Sequence, residues 1–205
     1  MHQELLTPYT LYWPEGVFPL GGDTLALGEF ATVRSNWRVC DLGTGSGALL
    51  LLLRRREPSI SLTGVELDTL SAHTARDNLI RNKLNGAILH TDLRTAALPA
   101  GGFDLVISNP PYFARSAGPV SGMARSETDC TLDELFACAA RLTRNGGRFA
   151  LCHRPERLTD LMCTARKYNL EPKRLKTVSH SPAHAPSLVL LECVRQGKPG
   201  LEILP

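Results

Sequence analysis

From residue 37 onward, short apolar runs alternate with stretches whose apolar side chains recur at helical spacing. Residues 37–40 (Trp-Arg-Val-Cys) predict a buried strand ending at Asp41, followed by a glycine turn over 43–47 and a helix over 48–55. A second strand is expected over 59–65. Across 69–84, Ala72, Ala75, Leu79 and Leu84 fall at near-helical spacing, and Asn85-Gly86 supplies a stop. Residues 87–90 predict a short third strand and 103–108 a fourth. Thr131 with Glu134 three residues on reads as a capping box for a helix whose apolar face is Leu132, Leu135, Phe136, Ala139 and Leu142. Gly146-Gly147 is expected to end that helix, with a fifth strand over 148–152. Pro155 suits the first turn of the next helix, striped by Leu158, Leu161, Met162, Ala165 and Tyr168. Two further strands are expected near 173–179 and 187–194. Residues 1–36, rich in Pro and Gly, read as irregular.

This alternation predicts an α/β, Rossmann-like fold, a mostly parallel sheet with helices on both faces. Ligands of such sheets sit at the carboxyl ends of the strands, so the residues following each strand carry the chemistry. No repeat, low-complexity block or Gly/Ser linker divides the chain. The expected organisation is one domain, 37–205, preceded by a segment, 1–36.

Composition narrows the classes. The 205 residues are 43% apolar, enough for one core, and 21% charged, which argues against disorder. No run of 18 apolar residues exists, so no membrane span is expected. Met1-His2-Gln3-Glu4 lacks the basic-then-apolar start of a secretion signal, and a cytoplasmic location is expected. The 6 cysteines form no Cys-x-x-Cys pair, so they read as small buried hydrophobes, with no metal site. A net charge of +3 is compatible with nucleic acid without requiring it.

The first strand delivers Asp41-Leu42-Gly43-Thr44-Gly45-Ser46-Gly47, glycines that turn tightly, admit a ligand closely and expose amides at a helix start. Gly43-x-Gly45-x-x-Ala48 also satisfies a dinucleotide fingerprint, with Glu66 near the position of its ribose acid. Two features favour S-adenosyl-L-methionine instead. Asp41, directly before the glycines, is placed to accept from a methionine ammonium, and Asp92, after the third strand, from an adenine amino group. Glu66 is placed to hold two ribose hydroxyls. Thr44, Leu67 and Leu93 complete the expected cofactor-binding set.

Asn109-Pro110-Pro111-Tyr112 is the most specific signal in the chain. The prolines stiffen the backbone and donate no hydrogen bonds, leaving carbonyls that need partners. A ring-bound amino group is planar and attacks poorly. If the Asn109 side-chain oxygen and the Pro110 carbonyl accept its two hydrogens, its lone pair turns towards a methyl donor. Tyr112, helped by Phe113, is placed to stack on the base. Methyl transfer then rests on positioning and on preorganised acceptors, with no general base required.

Residues 41–47, Glu66, Asp92 and 109–112, in this order, resemble a class I methyltransferase of the amino-group-modifying kind. The flanking segments 18–27, 124–128 and 197–200 resemble the bacterial tRNA (adenine-N6)-methyltransferases acting on the anticodon loop of a valine tRNA. The resemblance spans nearly the whole chain. It implies a seven-stranded sheet whose last strand runs antiparallel, an N-terminal segment, 1–36, that covers the cofactor, and Asp23 and Thr24 lining the cofactor site; Asn109 is also counted in the cofactor-binding set. It also implies an RNA partner, tRNA foremost, approached by Arg115, Arg125 and Arg154, with His153 and Arg157 on the same edge. Two departures stand out. Ser126 occupies a position where the family often has His, and 179–186 carries no Lys or Arg where relatives tend to be basic. Arg54-Arg55-Arg56 is read as complementing a helix dipole. Monomer and homodimer both remain open. The alternatives are a protein N5-glutamine methyltransferase, whose group usually has an extra N-terminal helical domain, a DNA methyltransferase, and an inactive RNA-binding scaffold.

Overall fold

The leucine run of α2 (Ala48–Arg56) explains much of the architecture. Its first six residues, Ala48 to Leu53, are all buried, and a helix apolar all round must be covered all round. One side lies on the sheet. The other is covered by the N-terminal segment, which is ordered rather than irregular: β1 (His2–Leu6) and β2 (Tyr9–Trp13) form an antiparallel hairpin, and α1 (Gly22–Phe30) packs against α2. Leu6, Leu11, Leu27 and Phe30 join the same apolar cluster as Leu49–Leu53. The helices approach so closely that a Cβ on Gly28 would lie 2.9 Å from Leu52 Cδ1. The expectation of irregular structure over 1–36 failed because Pro and Gly mark the turns between these elements, while a remote helix supplies the force that orders them.

This computed structural model describes residues 1–110, 130–179, 181 and 183–205. The strands that follow are β3 (Arg38–Leu42), β4 (Ser61–Glu66), β5 (Gly86–His90), β6 (Phe103–Ser108), β7 (Thr143–His153), β8 (Leu170–Val178), β9 (Leu188–Arg195) and β10 (Glu202–Leu204). They form one 8-stranded sheet in the order β10-β8-β9-β7-β6-β3-β4-β5. Every pairing is parallel except those of β9, which runs antiparallel to both β7 and β8. The short β8–β9 connection accounts for this, since a parallel return needs a dozen or more residues. The seven expected strands are therefore present, with the antiparallel one where the resemblance implied. β10 is an added edge strand of 3 residues that the sequence did not signal.

Alternate residues of the central strands divide the core in two. Val39, Leu105 and Ile107 face α2 and α3 (Thr69–Arg81), while Cys40, Leu42 and Val106 face α4 (Leu132–Leu142) and α5 (Leu158–Lys167). The capping box at Thr131 and Glu134 forms as expected. The end of that helix does not. α4 stops at Leu142 and β7 begins at Thr143, with Gly146 and Gly147 inside the strand. The helix end is satisfied without glycine: Thr143 Oγ1 donates to the Ala139 carbonyl at 2.7 Å, and the Gly101 amide to the Arg141 carbonyl at 2.8 Å.

Two polar devices hold the N-terminal segment in place. Asn78 on α3 and Asn82 at its C-cap, one turn apart, present their carboxamides to the edge of β2 as a strand would. Asn78 accepts from the Tyr12 amide at 2.9 Å and donates to the Tyr12 and Ser46 carbonyls; Asn82 pairs the same way with Thr10. Asn78→Ala is expected to cost about 1–3 kcal/mol, because it strands buried backbone groups, and urea unfolding would measure it. The second device is Glu192, fully buried on β9, which joins Thr32, Arg148 and Arg174. Two arginines ending α2 serve the same join, Arg56 donating to the carbonyls of Gly28 and Ala31 and Arg55 to the Glu29 carboxylate, while Arg54 donates to the nearby Ile60 carbonyl.

Candidate functional site

β3, β4, β5, β6 and β7 end along one edge of the sheet, and the predicted site residues follow them. At the end of β3, Gly43, Gly45 and Gly47 have φ of 73°, 56° and 82°, the left-handed region that glycine adopts without strain. The turn is anchored by the Gly43 and Thr44 amides, which donate to the Val65 carbonyl at 2.8 and 3.0 Å. A Cβ built on Gly43 or Gly45 meets nothing within 4 Å, so the turn faces open space.

Asp41 lies beneath this turn, 1% exposed. Its Oδ2 accepts from Thr44 Oγ1 at 2.7 Å, while Oδ1 is, among the described residues, the buried side-chain polar atom without a hydrogen-bond partner. Burial pushes its carboxyl up to about 7; the Thr44 hydrogen bond opposes this and the nearby Glu66 charge adds to it. An acid held this way, with an unmet acceptor beside an open glycine turn, suits a cationic donor such as a ligand ammonium.

Glu66, at the end of β4, is 3% exposed. Its two oxygens accept from the Gly45 amide at 2.9 Å and the Asp68 amide at 2.8 Å. The acid expected to hold a ribose thus also shapes the glycine turn, a task its position in the sequence did not reveal. Leu67 beside it is 47% exposed, and its carbonyl lies 3.0 Å from His90 Nε2.

Asp92, beyond β5, is engaged by Arg94: Nε reaches both carboxylate oxygens at 2.9 Å, and the Arg94 amide donates to Oδ1 at 2.8 Å. These bonds hold the Asp92 carboxyl below the usual range against its partial burial. Arg94 is held in turn by Glu134 of the capping box, 3.0 Å away. A ligand amino group at Asp92 would share it with this arginine. Leu93 is partly buried against the α4 side of the core.

Asn109 follows β6, next to β3 in the sheet, and Ser108 ties the two strand ends by donating to the Leu42 carbonyl at 2.8 Å. The Asn109 carboxamide donates through Nδ2 to Thr24 Oγ1 at 2.9 Å and accepts at Oδ1 from the Cys152 thiol at 3.1 Å. Thr24 and the half-exposed Asp23 sit in the first turn of α1, so the N-terminal segment does reach the site edge. Cys152, read from sequence as a core hydrophobe, is buried there but also touches the candidate catalytic residue. Pro110 is half-buried; Pro111, Tyr112, Phe113, Arg115, Arg125 and Ser126 lie outside the described residues. Arg154 is exposed just beyond β7, its amide donating to Nδ1 of the buried His153 at 2.8 Å. Arg157 pairs with Asp160 at 2.7 Å. Of the six cysteines, Cys40, Cys138, Cys152 and Cys193 are buried and Cys163 is exposed. Among the described residues, no group of three or more His, Cys, Asp or Glu stands together as a metal site, and no helix is long and apolar enough to cross a membrane.

The comparisons with known proteins agree with this geometry. A family model described as methyltransferase small domain matches residues 21–159. A tRNA1(Val) (adenine(37)-N6)-methyltransferase of Porphyromonas gingivalis is 34% identical over 162 residues, covering 74% of this chain and 63% of its own. The protein of the same name from Tolumonas auensis is 32% identical over 178 residues, covering 84% of this chain and 74% of its own. The chain thus spans a little under two thirds of the first of these relatives. Among solved structures, a predicted O-methyltransferase from Agrobacterium tumefaciens superposes with TM-score 0.72 at 18% identity, covering 88% of this chain and 84% of that one. This likeness shows the fold alone. A 16S rRNA N2 G1207 methyltransferase of T. thermophilus, in complex with AdoMet and guanosine, gives TM-score 0.67 at 25% identity, over 91% of this chain and 47% of that one. The resemblance read from the motifs is borne out: the chain belongs to the methyltransferase small domain family, among relatives named as tRNA1(Val) (adenine(37)-N6)-methyltransferases.

Proposed function

We propose that this chain is an S-adenosylmethionine-dependent methyltransferase acting on adenine N6 in tRNA. One observation carries the reading. The buried carboxylate of Asp41, with its unmet oxygen below an open glycine turn, stands one strand away from the Asn109 carboxamide. A cationic amino-acid ligand on the first and an amino-group acceptor on the second is the pairing that N-methylation requires. The relatives' names support the substrate class, and the cytoplasm, where tRNA is modified, is the compartment proposed. Residues 1–36 are proposed to cover the methionine end of the cofactor, as a segment of one domain with 37–205.

The cofactor, when bound, supplies an electrophilic methyl on a sulfonium. Asp41 Oδ1 would accept from its ammonium, Glu66 from its ribose and Asp92 from its adenine, with Asp23, Thr44, Leu67 and Leu93 around them. The protein's part in the reaction belongs to Asn109 and the Pro110 carbonyl, which accept the two hydrogens of the substrate amine and stabilise the charge that develops on nitrogen. Tyr112 and Phe113 are proposed to stack on the base, and Arg115, Arg125 and Arg154 to meet phosphates.

The decisive assay incubates the protein with labelled S-adenosylmethionine and separate tRNA, rRNA, DNA and protein fractions. Label is expected in tRNA, released as N6-methyladenosine on nucleoside analysis. Label in protein as methylglutamine would replace this reading with the N5-glutamine one, and cofactor binding with no transfer to any fraction would leave a scaffold.

Asp41 adds a pH prediction. In the free native protein its carboxyl holds a proton up to about pH 7, far above the ordinary value of 3.8. Below pH 7 a cationic ligand must displace that proton, so affinity for S-adenosylmethionine is expected to fall by up to about tenfold per pH unit on acidification. Between the two values the native state binds more protons than the unfolded one, so this group makes the ligand-free protein more stable as pH falls from 7. Calorimetry between pH 5.5 and 8, in buffers of differing ionisation heat, reads both affinity and proton release. An Asp41→Asn variant with the same pH slope would count against it.

A further inference from the structure

We propose that Thr24 and Cys152 are positioning residues that decide which end of the Asn109 carboxamide faces the substrate. The inference rests on the methyltransferase reading. A carboxamide has two ends of nearly equal shape and opposite polarity. Only the oxygen end can accept from an amine; the NH2 end would turn its own donors towards the amine's hydrogens. The terminal torsion of Asn is broad and roughly two-fold, so the side chain does not choose by itself. Its neighbours must.

Here each end has its own marker. Nδ2 donates to Thr24 Oγ1 at 2.9 Å, and Oδ1 accepts from the Cys152 thiol at 3.1 Å. The sheet brings Cys152 there: Ser108 of β6 lies opposite Leu151 of β7, so the next residues along the two strands, Asn109 and Cys152, are neighbours. The choice of thiol has a chemical sense. Sulfur is a weak donor, so it identifies the oxygen end while leaving Oδ1 a strong acceptor for its second partner. Thr24 arrives on α1, whose C-terminal carbonyls are held by Arg56 and whose exit at Thr32 is held by Glu192. The N-terminal segment therefore completes the catalytic edge as well as the core.

The test compares Thr24→Val, Thr24→Ser and Cys152→Ala in steady-state tRNA methylation and in NMR of protein labelled with 15N-asparagine, the Asn109 side-chain signals being assigned by their loss in Asn109→Ala. Thr24→Val is expected to lower kcat by about 10–100-fold, the scale of a misplaced reacting group, well beyond any rise in KM for S-adenosylmethionine. Thr24→Ser should recover most of that loss, and Cys152→Ala should lower kcat in the same direction by less. The Asn109 NH2 signals should shift in both Thr24→Val and Cys152→Ala. A Thr24→Val enzyme that raises KM for the cofactor at unchanged kcat would overturn the inference, making Thr24 a cofactor contact. Unmoved Asn109 signals would overturn it too. If the wild-type protein methylates no fraction, the functional reading falls, and the NMR result alone decides whether the carboxamide is oriented by these two residues.

Discussion

Replacing Asn109 with Ala is expected to lower methyl transfer by at least about 10²–10³-fold, the range found for losing one preorganised donor or acceptor at a developing charge. The size follows from what the side chain is asked to do. A ring amine resists attack because its lone pair is shared with the ring. In the proposed mechanism two acceptors, Asn109 Oδ1 and the Pro110 carbonyl, draw its hydrogens aside and meet the positive charge as it forms. Water entering the gap left by Ala can accept a hydrogen, but it must be reoriented at the moment of reaction. The proposed cofactor end of the site stands on β3 and β4, through Asp41, Gly43, Gly45 and Glu66, away from the substituted side chain. Binding of S-adenosylmethionine by calorimetry should therefore persist beside the lost activity. Wild-type turnover in this variant would remove the mechanism.

The largest stability change is expected at Glu192→Ala, about 3–5 kcal/mol, the range for deleting one member of a buried ion pair. Glu192 is 0% exposed and accepts from the Thr32 amide at 2.7 Å, Thr32 Oγ1 at 2.9 Å, Arg148 at 2.6 Å and Arg174 at 3.2 Å. Ala would leave two guanidinium groups and a backbone amide without this acceptor, between the sheet and the end of the N-terminal cover. For a chain of this size each kcal/mol moves Tm by about 2–4 °C, so a drop of roughly 6–20 °C is expected in thermal unfolding. Asp133→Ala is the control. Its pair with Lys167 joins side chains 53% and 61% exposed, and such pairs contribute about 0–1 kcal/mol. Equal small losses in both variants would show that the buried network does not hold the join.

Much of this protein was legible in the chain itself. The fourth strand, 103–108, was placed at its observed limits, because a strand buried on both faces reads as a continuous apolar run. The capping box of α4 was legible because its two residues are three apart, and the contact that caps the helix is equally local. The glycine turn, the acids at the ends of β3 and β4, and Asn109 were found because in a parallel α/β sheet every strand end arrives at one edge. Position along the chain then implies position in space.

What escaped was non-local. The hairpin and α1 are ordered by the leucine run of α2 and by Asn78 and Asn82, whose bonds span 66 and 72 residues; spacing within 1–36 carries no trace of them. Gly146-Gly147 looked like a helix stop because glycine often is one, yet the carbonyls it would have capped are taken by Thr143 and by Gly101 from another loop. The Cys152 contact to Asn109 and the Glu134 hold on Arg94 arise from neighbouring strands and a helix cap. Periodicity and strand-end chemistry thus fixed the layered α/β plan and the residues at its ligand edge. How those residues are held, and how the N-terminal segment is itself built and anchored, came from the folded packing, because hydrogen bonds between distant residues leave no periodic mark in the order of the chain.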